Sequence, residues 1–261
     1  MELLSYKTLE EMQYKGFLQK EAPVKVLQFG EGNFLRAFVN YWFDIANEKA
    51  GWNGKCCLVQ PIAPGLAKMI NEQEGLYTLY LRGSEKGQKV DDMRVISSVS
   101  RCLNPYEEAG FAAMMEVAVS DDLEIIVSNT TEAGIVYTGK DSFDDKPQAS
   151  FPGKLTRLLY ERFTAFGGAK GTGFILLPCE LIDYNGKNLK ECCLKTADQW
   201  NLSAEFKAWV EEENVFTSTL VDRIVTGYPR GEAEAIWEEL GYKDNMLNTA
   251  EPFGLWVIEG L

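Results

Sequence analysis

Histidine is absent from the 261 residues of this chain. It is the commonest general base near neutral pH and the commonest zinc ligand in proteins. A Ser-His-Asp hydrolase, a Cys-His protease and a His-ligated metal enzyme therefore cannot be built from this chain alone. Any catalysis has to use Lys, Asp, Glu, Tyr or Cys, a cofactor, or residues outside this chain.

The six cysteines lack the C-x-x-C spacing that is typical of zinc and redox motifs. Four of them form two adjacent pairs, Cys56 with Cys57 and Cys192 with Cys193. Adjacent side chains of a strand point to opposite faces, so such pairs are poor metal ligands. We predict no metal site, and reduced, mostly buried thiols of the kind found in cytoplasmic proteins.

Positive charge and long apolar runs are also scarce. Lys and Arg total 26 against 39 Asp and Glu, which gives a net charge of -13. A surface this acidic repels phosphate backbones and anionic lipids, so we expect no nucleic-acid or membrane partner. No apolar run approaches the ~20 residues of a membrane span. The polar start contains no signal peptide, and we expect a cytoplasmic location.

Short apolar runs alternate with helical patterns along the chain. This alternation predicts an α/β fold, a mostly parallel sheet with helices on both faces. The first unit is a strand over 24–29, a helix over 33–49 and a strand over 55–60, which together form a right-handed βαβ unit. Further strands are predicted in 76–82, 90–99, 123–128 and 173–178, followed by helices in 188–200, 203–213 and 231–240.

The turn after the first predicted strand is the strongest functional signal. Gly30 permits a tight turn, and Gly32 lets the backbone approach a pyrophosphate at the start of the next helix. Leu35 stands where a third glycine is usual, and Arg36 could contact phosphate or brace the loop. The predicted cofactor-binding residues of this segment are Phe29, Gly30, Glu31, Gly32, Asn33, Phe34 and Arg36.

The end of the second predicted strand bears on the choice of cofactor. In most dinucleotide sites an acidic residue there holds the adenine ribose. Here the strand ends at Gln60 and Pro61. Gln60 can hydrogen-bond a ribose hydroxyl, and no arginine follows to hold a 2′-phosphate, which favours NAD over NADP. The missing acid also argues against an S-adenosylmethionine site.

Two polar segments follow later predicted strands. Asn129, Thr130 and Thr131 lie after strand 123–128, at the edge where ligands bind in open α/β sheets. They are candidates for the nicotinamide half of a cofactor, or for a simple cap. Asn185 with Gly186 is either a plain turn or an amide that donates to a substrate oxygen.

Five motifs together resemble one family, the polyol-specific long-chain dehydrogenases, also called the mannitol dehydrogenase family. They occur in the family's order: G-x-G-x-F-x-R at residues 30–36, T-E-x-G at 131–134, C-(D/E)-x(4)-N-G at 179–186, V-D-R-I at 221–224 and E-P-F-x-x-W-V-I-E at 251–259. Residues 27–38 and Gln60 are most similar to the members that act on keto-sugar acids.

The resemblance implies a Rossmann-like NAD-binding domain over residues 1–261. It also implies hydride transfer between NAD(H) and a small keto-sugar acid, D-tagaturonate to D-altronate. By its motif position Asn185 would polarise the substrate carbonyl. The family's catalytic lysine lies in a K-x(4)-N-x(2)-H motif of a helical domain after the E-P-F stretch, and this histidine-free chain has no such motif.

This chain is therefore expected to be the cofactor half, with little activity alone. Fructuronate or a polyol are alternative substrates, and a non-catalytic dinucleotide-binding module is the alternative function. The apolar segment 253–258 is the expected surface for the second domain, and it could drive self-association.

Overall fold

The computed structural model of the protein describes residues 1–131 and 133–260. Its strands, in chain order, are β1 (Val24–Phe29), β2 (Lys55–Val59), β3 (Tyr77–Glu85), β4 (Gln88–Ile96), β5 (Val99–Leu103), β6 (Ile125–Ser128), β7 (Ile175–Pro178), β8 (Val215–Phe216), β9 (Ser218–Asp222), β10 (Asn248–Ala250) and β11 (Leu255–Glu259). The helices are α1 (Tyr6–Glu11), α2 (Asn33–Ala37), α3 (Val39–Ala50), α4 (Ala67–Glu72), α5 (Glu108–Ala118), α6 (Phe151–Ala165), α7 (Asn185–Gln199), α8 (Ala204–Glu212) and α9 (Ala233–Leu240).

Six strands form the main sheet in the order β5-β2-β1-β6-β7-β8, and every neighbouring pair is parallel. The chain first runs outward from β1 through β2 to β5. It then returns to place β6 on the other side of β1. The switch point between β1 and β6 leaves a crevice at the carboxyl ends of these strands, which is the usual ligand position in this class of sheet.

Apolar side chains cover both faces of this sheet, as the sequence predicts. Alternate residues of one strand enter different cores: Cys57 and Val59 of β2 pack with α5, α6 and α7, whereas Cys56 and Leu58 pack with α3 and α4. The period-2 alternation of a strand produces this division. It also sends the thiols of Cys56 and Cys57 to opposite sides of the sheet.

The helix predicted over 33–49 is two helices that meet at Phe38. Phe38 has φ -122° and ψ -77°, so the α-helical hydrogen-bond ladder is interrupted there. Side chains from distant segments satisfy two carbonyls next to the break. The Tyr77 hydroxyl donates to Arg36 O at 2.6 Å, and Arg223 Nη1 donates to Ala37 O at 2.7 Å. Local sequence gives no sign of this break because its partners lie far along the chain.

A second layer packs beside the main sheet. Strands β3 and β4 form an antiparallel hairpin, and β10 pairs in parallel with β3. The buried carboxylate of Asp244 joins this layer to α4, since it accepts from Gln73 Nε2 at 2.8 Å and from Thr78 N at 2.6 Å. Strands β9 and β11 form a separate antiparallel pair.

Two further predicted elements differ from the structure. The extended segment predicted over 90–99 is divided between β4, in the hairpin, and the start of β5, the edge strand of the main sheet. Ser100 and Arg101 interrupt the apolar pattern of β5. The helix expected from residue 188 begins at Asn185, because Tyr184 adopts the left-handed conformation at φ 54° and serves as its N-cap.

Candidate functional site

The turn after β1 is tightly packed on its inner side. Gly30 N donates to Val59 O at 3.0 Å, which ties the turn to the end of β2. Gly30 has φ +121°, and a Cβ there would lie 3.0 Å from Asn129 O and 3.1 Å from Leu35 Cδ1. Glycine is therefore required by the fold at this position. Leu35, which replaces the third glycine of the usual pattern, fills the space beneath the turn.

Gly32 differs from Gly30 in every one of these respects. Its φ of -67° and ψ of 173° suit any residue, and a Cβ there would meet no described atom within 4 Å. The fold places no steric demand for glycine here, yet the residue is exposed and stands at the N-terminus of α2. The open space beside a bare backbone is what a closely approaching anionic ligand needs.

Arg36 does not face that open space. Its side chain is 2% exposed, and its guanidinium donates to three protein oxygens: Glu31 O at 3.1 Å, Met246 O at 2.8 Å and Asn33 Oδ1 at 2.7 Å. The Tyr77 ring packs against it. Of the two roles considered from sequence, the structure gives Arg36 the bracing role, and the predicted phosphate contact is not formed by this side chain.

Two clefts flank the loop that follows β6. The β7-side cleft, of about 520 Å³, lies between Phe34 of α2 and Leu181 after β7, and its polar lining is Asn129, Thr131, Asp222 and Arg223. The β2-side cleft, of about 310 Å³, lies between the end of β2 and the start of α6. Phe29, Pro61, Ile62, Thr130 and Lys154 are among its lining residues.

Lys154 is a buried cation in the β2-side cleft. Its Nζ donates to Ala149 O at 3.0 Å and lies 5.4 Å from the centre of the Tyr106 ring. Burial lowers the pKa of this ammonium from 10.5 to about 8, and Asp141 partly opposes the shift. The sequence pattern gave no indication that this lysine lies at the site.

A buried carboxylate, that of Glu180, holds the loop between the two clefts. Glu180 Oε1 accepts from Thr130 N and Thr130 Oγ1, both at 2.9 Å, and Oε2 accepts from Ser128 Oγ at 3.0 Å. Desolvation raises the pKa of this carboxyl although these hydrogen bonds oppose the rise. The motif at residues 179–186 contains Glu180 but indicates no role for it. A charged residue two positions after a buried strand was the available signal.

Asn185 lies beneath the site and not in a cleft. Its side chain is 0% exposed, and Nδ2 lies 3.0 Å from each of three carbonyl oxygens, those of Pro178, Glu180 and Thr219. Its Oδ1 accepts from Gly186 N and Thr219 N. An amide with both hydrogens used in this way has none left for a substrate carbonyl. In this structure Asn185 joins β7, α7 and β9, and its contact with a substrate carbonyl stays a prediction.

Gln60 is also committed to the protein itself. Nε2 donates to Ile62 O at 3.1 Å and to Ala63 O at 2.8 Å, and Oε1 accepts from Ala67 N at 3.3 Å. The side chain is 2% exposed. Gln60 therefore shapes the loop after β2, and its two amide hydrogens are not available to a ribose hydroxyl.

The remaining predicted cofactor residues do meet at the crevice. Phe34, Asn129 and Thr131 line the β7-side cleft, and Phe29 and Thr130 line the β2-side cleft. Asn33 is exposed beside Gly32. Glu132 of the T-E-x-G motif lies outside the described residues. The structure thus brings together segments from β1, β6, β7 and β9 that are up to about 190 residues apart in sequence.

Two further expectations concern metals and membranes. Within residues 1–131 and 133–260, no group of three or more His, Cys, Asp or Glu side chains is placed to hold a metal ion. Among the helices of the same residues, none is long and apolar enough to cross a membrane.

The strand order, the glycine turn at its switch point and the two flanking clefts define a Rossmann-type dinucleotide fold. The chain belongs to the mannitol dehydrogenase Rossmann domain family, whose model matches residues 24–261. It is 48% identical to the altronate oxidoreductase of Enterobacter sp. (strain 638) over 254 residues, which are 97% of this chain and 52% of that relative.

A second relative and a solved structure agree with this assignment. The altronate oxidoreductase of Pectobacterium carotovorum subsp. carotovorum (strain PC1) is 48% identical over 97% of this chain and 51% of its own length. The Pseudomonas fluorescens mannitol 2-dehydrogenase, solved as a ternary complex with NAD and D-mannitol, superposes with a TM-score of 0.81 at 22% identity. That match covers 99% of this chain and 54% of that one. The chain thus spans about half the length of the curated relatives it matches.

Proposed function

We propose that this chain binds NAD(H) and forms the cofactor half of an enzyme that reduces D-tagaturonate to D-altronate. The observation that carries the proposal is the open space beside Gly32 at the β1–β6 switch point, with a cleft on each side. The 48% identity to altronate oxidoreductases supports the choice of substrate over fructuronate or a polyol. Reduced, buried cysteines fit a cytoplasmic location.

The chain's residues divide the work of holding the dinucleotide. The backbone at Gly32 and the first N–H groups of α2 would receive the pyrophosphate. The β2-side cleft, with Phe29 and Ile62 as apolar walls, would receive the adenosine half. Phe34, Asn129 and Thr131 of the β7-side cleft would orient the nicotinamide, which supplies the hydride when bound.

The acid/base step needs a group from outside this chain in this proposal. The family resemblance assigns that step to a lysine of the helical domain. Among the described residues, the polar lining of the β7-side cleft is Asn129, Thr131, Asp222 and Arg223, and it contains no lysine. Loss of a general acid/base typically lowers a rate by ~10²–10⁴-fold. This chain alone should therefore bind the cofactor and turn over poorly.

An exposed apolar face beside the β7-side cleft is the proposed contact surface for the second half. Leu220 of β9 pairs with Val257 of β11, and their side chains are 57% and 46% exposed. Leu181, Tyr184 and Phe253 extend this face. Trp256 and Ile258 alternate with the exposed residues and pack on the core. Uncovered, the face should promote self-association of this chain, and analytical ultracentrifugation over a concentration series would detect it.

The binding half of the proposal is tested by titrating this chain with NADH and recording nucleotide fluorescence. Saturable binding below about 1 mM is expected for a functional site. No binding by a chain whose circular dichroism shows it folded would refute the proposal.

Substrate choice is tested on the longest natural form of the protein with D-tagaturonate, D-fructuronate and D-mannitol. Activity with either alternative and none with D-tagaturonate would overturn the substrate assignment.

A further inference from the structure

The end of β2 has no acidic residue for an adenine ribose, and the amide of Gln60 there is 2% exposed and has no free N–H group. Gln60 lies where an acidic residue is usual, and its side chain is hydrogen-bonded to the backbone of the loop over residues 61–67. A dinucleotide site still needs an acceptor for the ribose hydroxyls near this point. If the chain supplies one, it has to come from another element that reaches the same place.

Glu31, between the two glycines of the turn, reaches this place. Its Oε1 accepts from Leu66 N at 3.3 Å, so the carboxylate extends from the turn across the end of β2. The surroundings of Gly65 confirm the meeting point, since a Cβ added there would lie 2.6 Å from Gln60 Oε1 and 2.8 Å from Glu31 Oε1. Two side chains that are 29 positions apart in sequence therefore converge on one loop.

The carboxylate retains capacity for a ligand. A carboxylate has about four lone-pair positions, and the donors that lie against this one are two backbone N–H groups, those of Leu66 and of Glu31 itself. Burial raises the pKa of Glu31 from its usual value, while these two N–H groups and the nearby Arg36 oppose the rise. Arg36 itself is committed to other oxygens, so it does not neutralise a ligand here.

We propose that Glu31 is the specificity residue for the adenine ribose, in place of the acid that is missing at the end of β2. The proposal rests on the proposed function, NAD(H) binding at the Gly30–Gly32 turn. Glu31 accepts the ribose 2′-hydroxyl of NAD(H). The same carboxylate repels the 2′-phosphate of NADP(H), because two negative groups within a few ångströms oppose each other strongly at a partly buried site.

The test compares NADH and NADPH binding by this chain and its Glu31→Gln variant at pH 8 and low salt. Glutamine keeps an oxygen for Leu66 N, so the loop after β2 stays held while the charge is removed. The dissociation constant for NADH should rise severalfold and that for NADPH should fall. The ratio of the NADPH constant to the NADH constant should decrease at least about tenfold.

A control variant, Glu205→Gln, makes the same charge change on the exposed start of α8 and should leave the ratio unchanged. If Glu31 only pins the loop, Glu31→Gln shifts both nucleotides in parallel and the ratio stays constant, which overturns the inference while NADH binding by the native chain still stands. If the folded native chain binds neither nucleotide, the proposed function fails and the inference fails with it.

Discussion

At the scale of single residues, the two glycines of the turn separate a structural requirement from a functional one. Gly30 is demanded by its positive φ and by the nearby Asn129 carbonyl. Gly32 has an ordinary φ and free space around it. The fold would accept any amino acid at position 32. A glycine at this place in the site therefore indicates that a ligand approaches the backbone there.

Substitution of Gly32 by alanine should therefore lower affinity without lowering stability. The added methyl group would occupy the space proposed for the pyrophosphate, and NADH affinity should fall at least about tenfold, or 1.4 kcal/mol. The midpoint temperature of thermal unfolding should change no more than it does for substitutions of exposed residues that make no contacts. NADH titration and a melting curve of Gly32→Ala measure the two effects.

Gly231→Ala is the matched control, because Gly231 is also exposed and a Cβ there meets no described atom within 4 Å. It should change neither affinity nor stability. Equal NADH binding by native protein and Gly32→Ala would show that the ligand does not approach this backbone.

Three of the predicted ligand contacts are side chains that the structure shows hydrogen-bonded to the protein itself. Arg36, Gln60 and Asn185 were predicted to contact ligands, and all three side chains donate hydrogen bonds to backbone carbonyl oxygens of this chain. Sequence identifies the polar residue near a site, but it does not show whether a backbone carbonyl has already taken its hydrogens. Glu180 shows the converse, since its position became informative only when the loop after β6 was brought beside it. Glu31 was predicted to contact the cofactor, but its meeting with the loop after β2 is visible only in the structure.

At the scale of elements, period and spacing predicted most of the main sheet. The boundaries of β1 agree with the prediction, and those of β2, β6 and β7 agree within two residues. The apolar runs of β2, β6 and β7 are continuous because both faces of the sheet are buried, whereas Lys25 and Gln28 interrupt the run of β1. The interruption between α2 and α3 was missed, since it depends on Tyr77 and Arg223 reaching the freed carbonyls. Strand β5 was missed as a separate element because polar residues mask its pattern.

Asn185 is a connection between elements, so its loss should be felt as instability. Asn185→Ala would leave the buried carbonyl and N–H groups of β7, α7 and β9 without partners, at about 1–3 kcal/mol for each group left unsatisfied. We expect a loss of at least about 3 kcal/mol in the free energy of unfolding. Urea denaturation of the variant measures it.

The control is Asn188→Ala, one turn along α7, which removes a single solvent-accessible hydrogen bond to Asp183 O. It should cost about 1 kcal/mol or less. An unchanged free energy of unfolding in Asn185→Ala would contradict the inference that Asn185 joins β7, α7 and β9.

At the scale of the whole molecule, burial of the thiols predicts sensitivity to alkali. Burial raises the pKa of all six cysteines, that of Cys57 to about 11 and those of Cys56 and Cys193 to about 12, from an ordinary value of 9.0. The folded chain keeps these protons while the unfolded chain loses them above pH 9. The stabilisation that comes from the buried thiols is therefore fully present below pH 9, and it is lost as pH rises toward their folded-state pKa values.

Two buried lysines act in the opposite direction. The pKa values of Lys55 and Lys154 are lowered to about 8. Between pH 8 and 10.5 the unfolded chain therefore binds more protons than the folded chain, and the free energy of unfolding increases with pH through these two groups. Six thiols outweigh two ammonium groups above pH 9. The free energy of unfolding from urea curves should thus decrease from pH 9 to pH 10.

The Cys56→Ala variant provides the control for this prediction. It lacks one buried thiol, so its free energy of unfolding should fall by about 1 kcal/mol less than that of the native chain between pH 9 and pH 10. Identical pH profiles for the two proteins would show that this thiol does not contribute to the alkaline loss.

A crystal structure of this chain with NADH would show directly whether the Gly30–Gly32 turn holds the pyrophosphate of NAD(H). We expect the pyrophosphate beside Gly32 and the first N–H groups of α2, with the adenosine in the β2-side cleft and the nicotinamide between Phe34 and Leu181. NADH bound elsewhere, with the space beside Gly32 empty at saturation, would contradict this expectation.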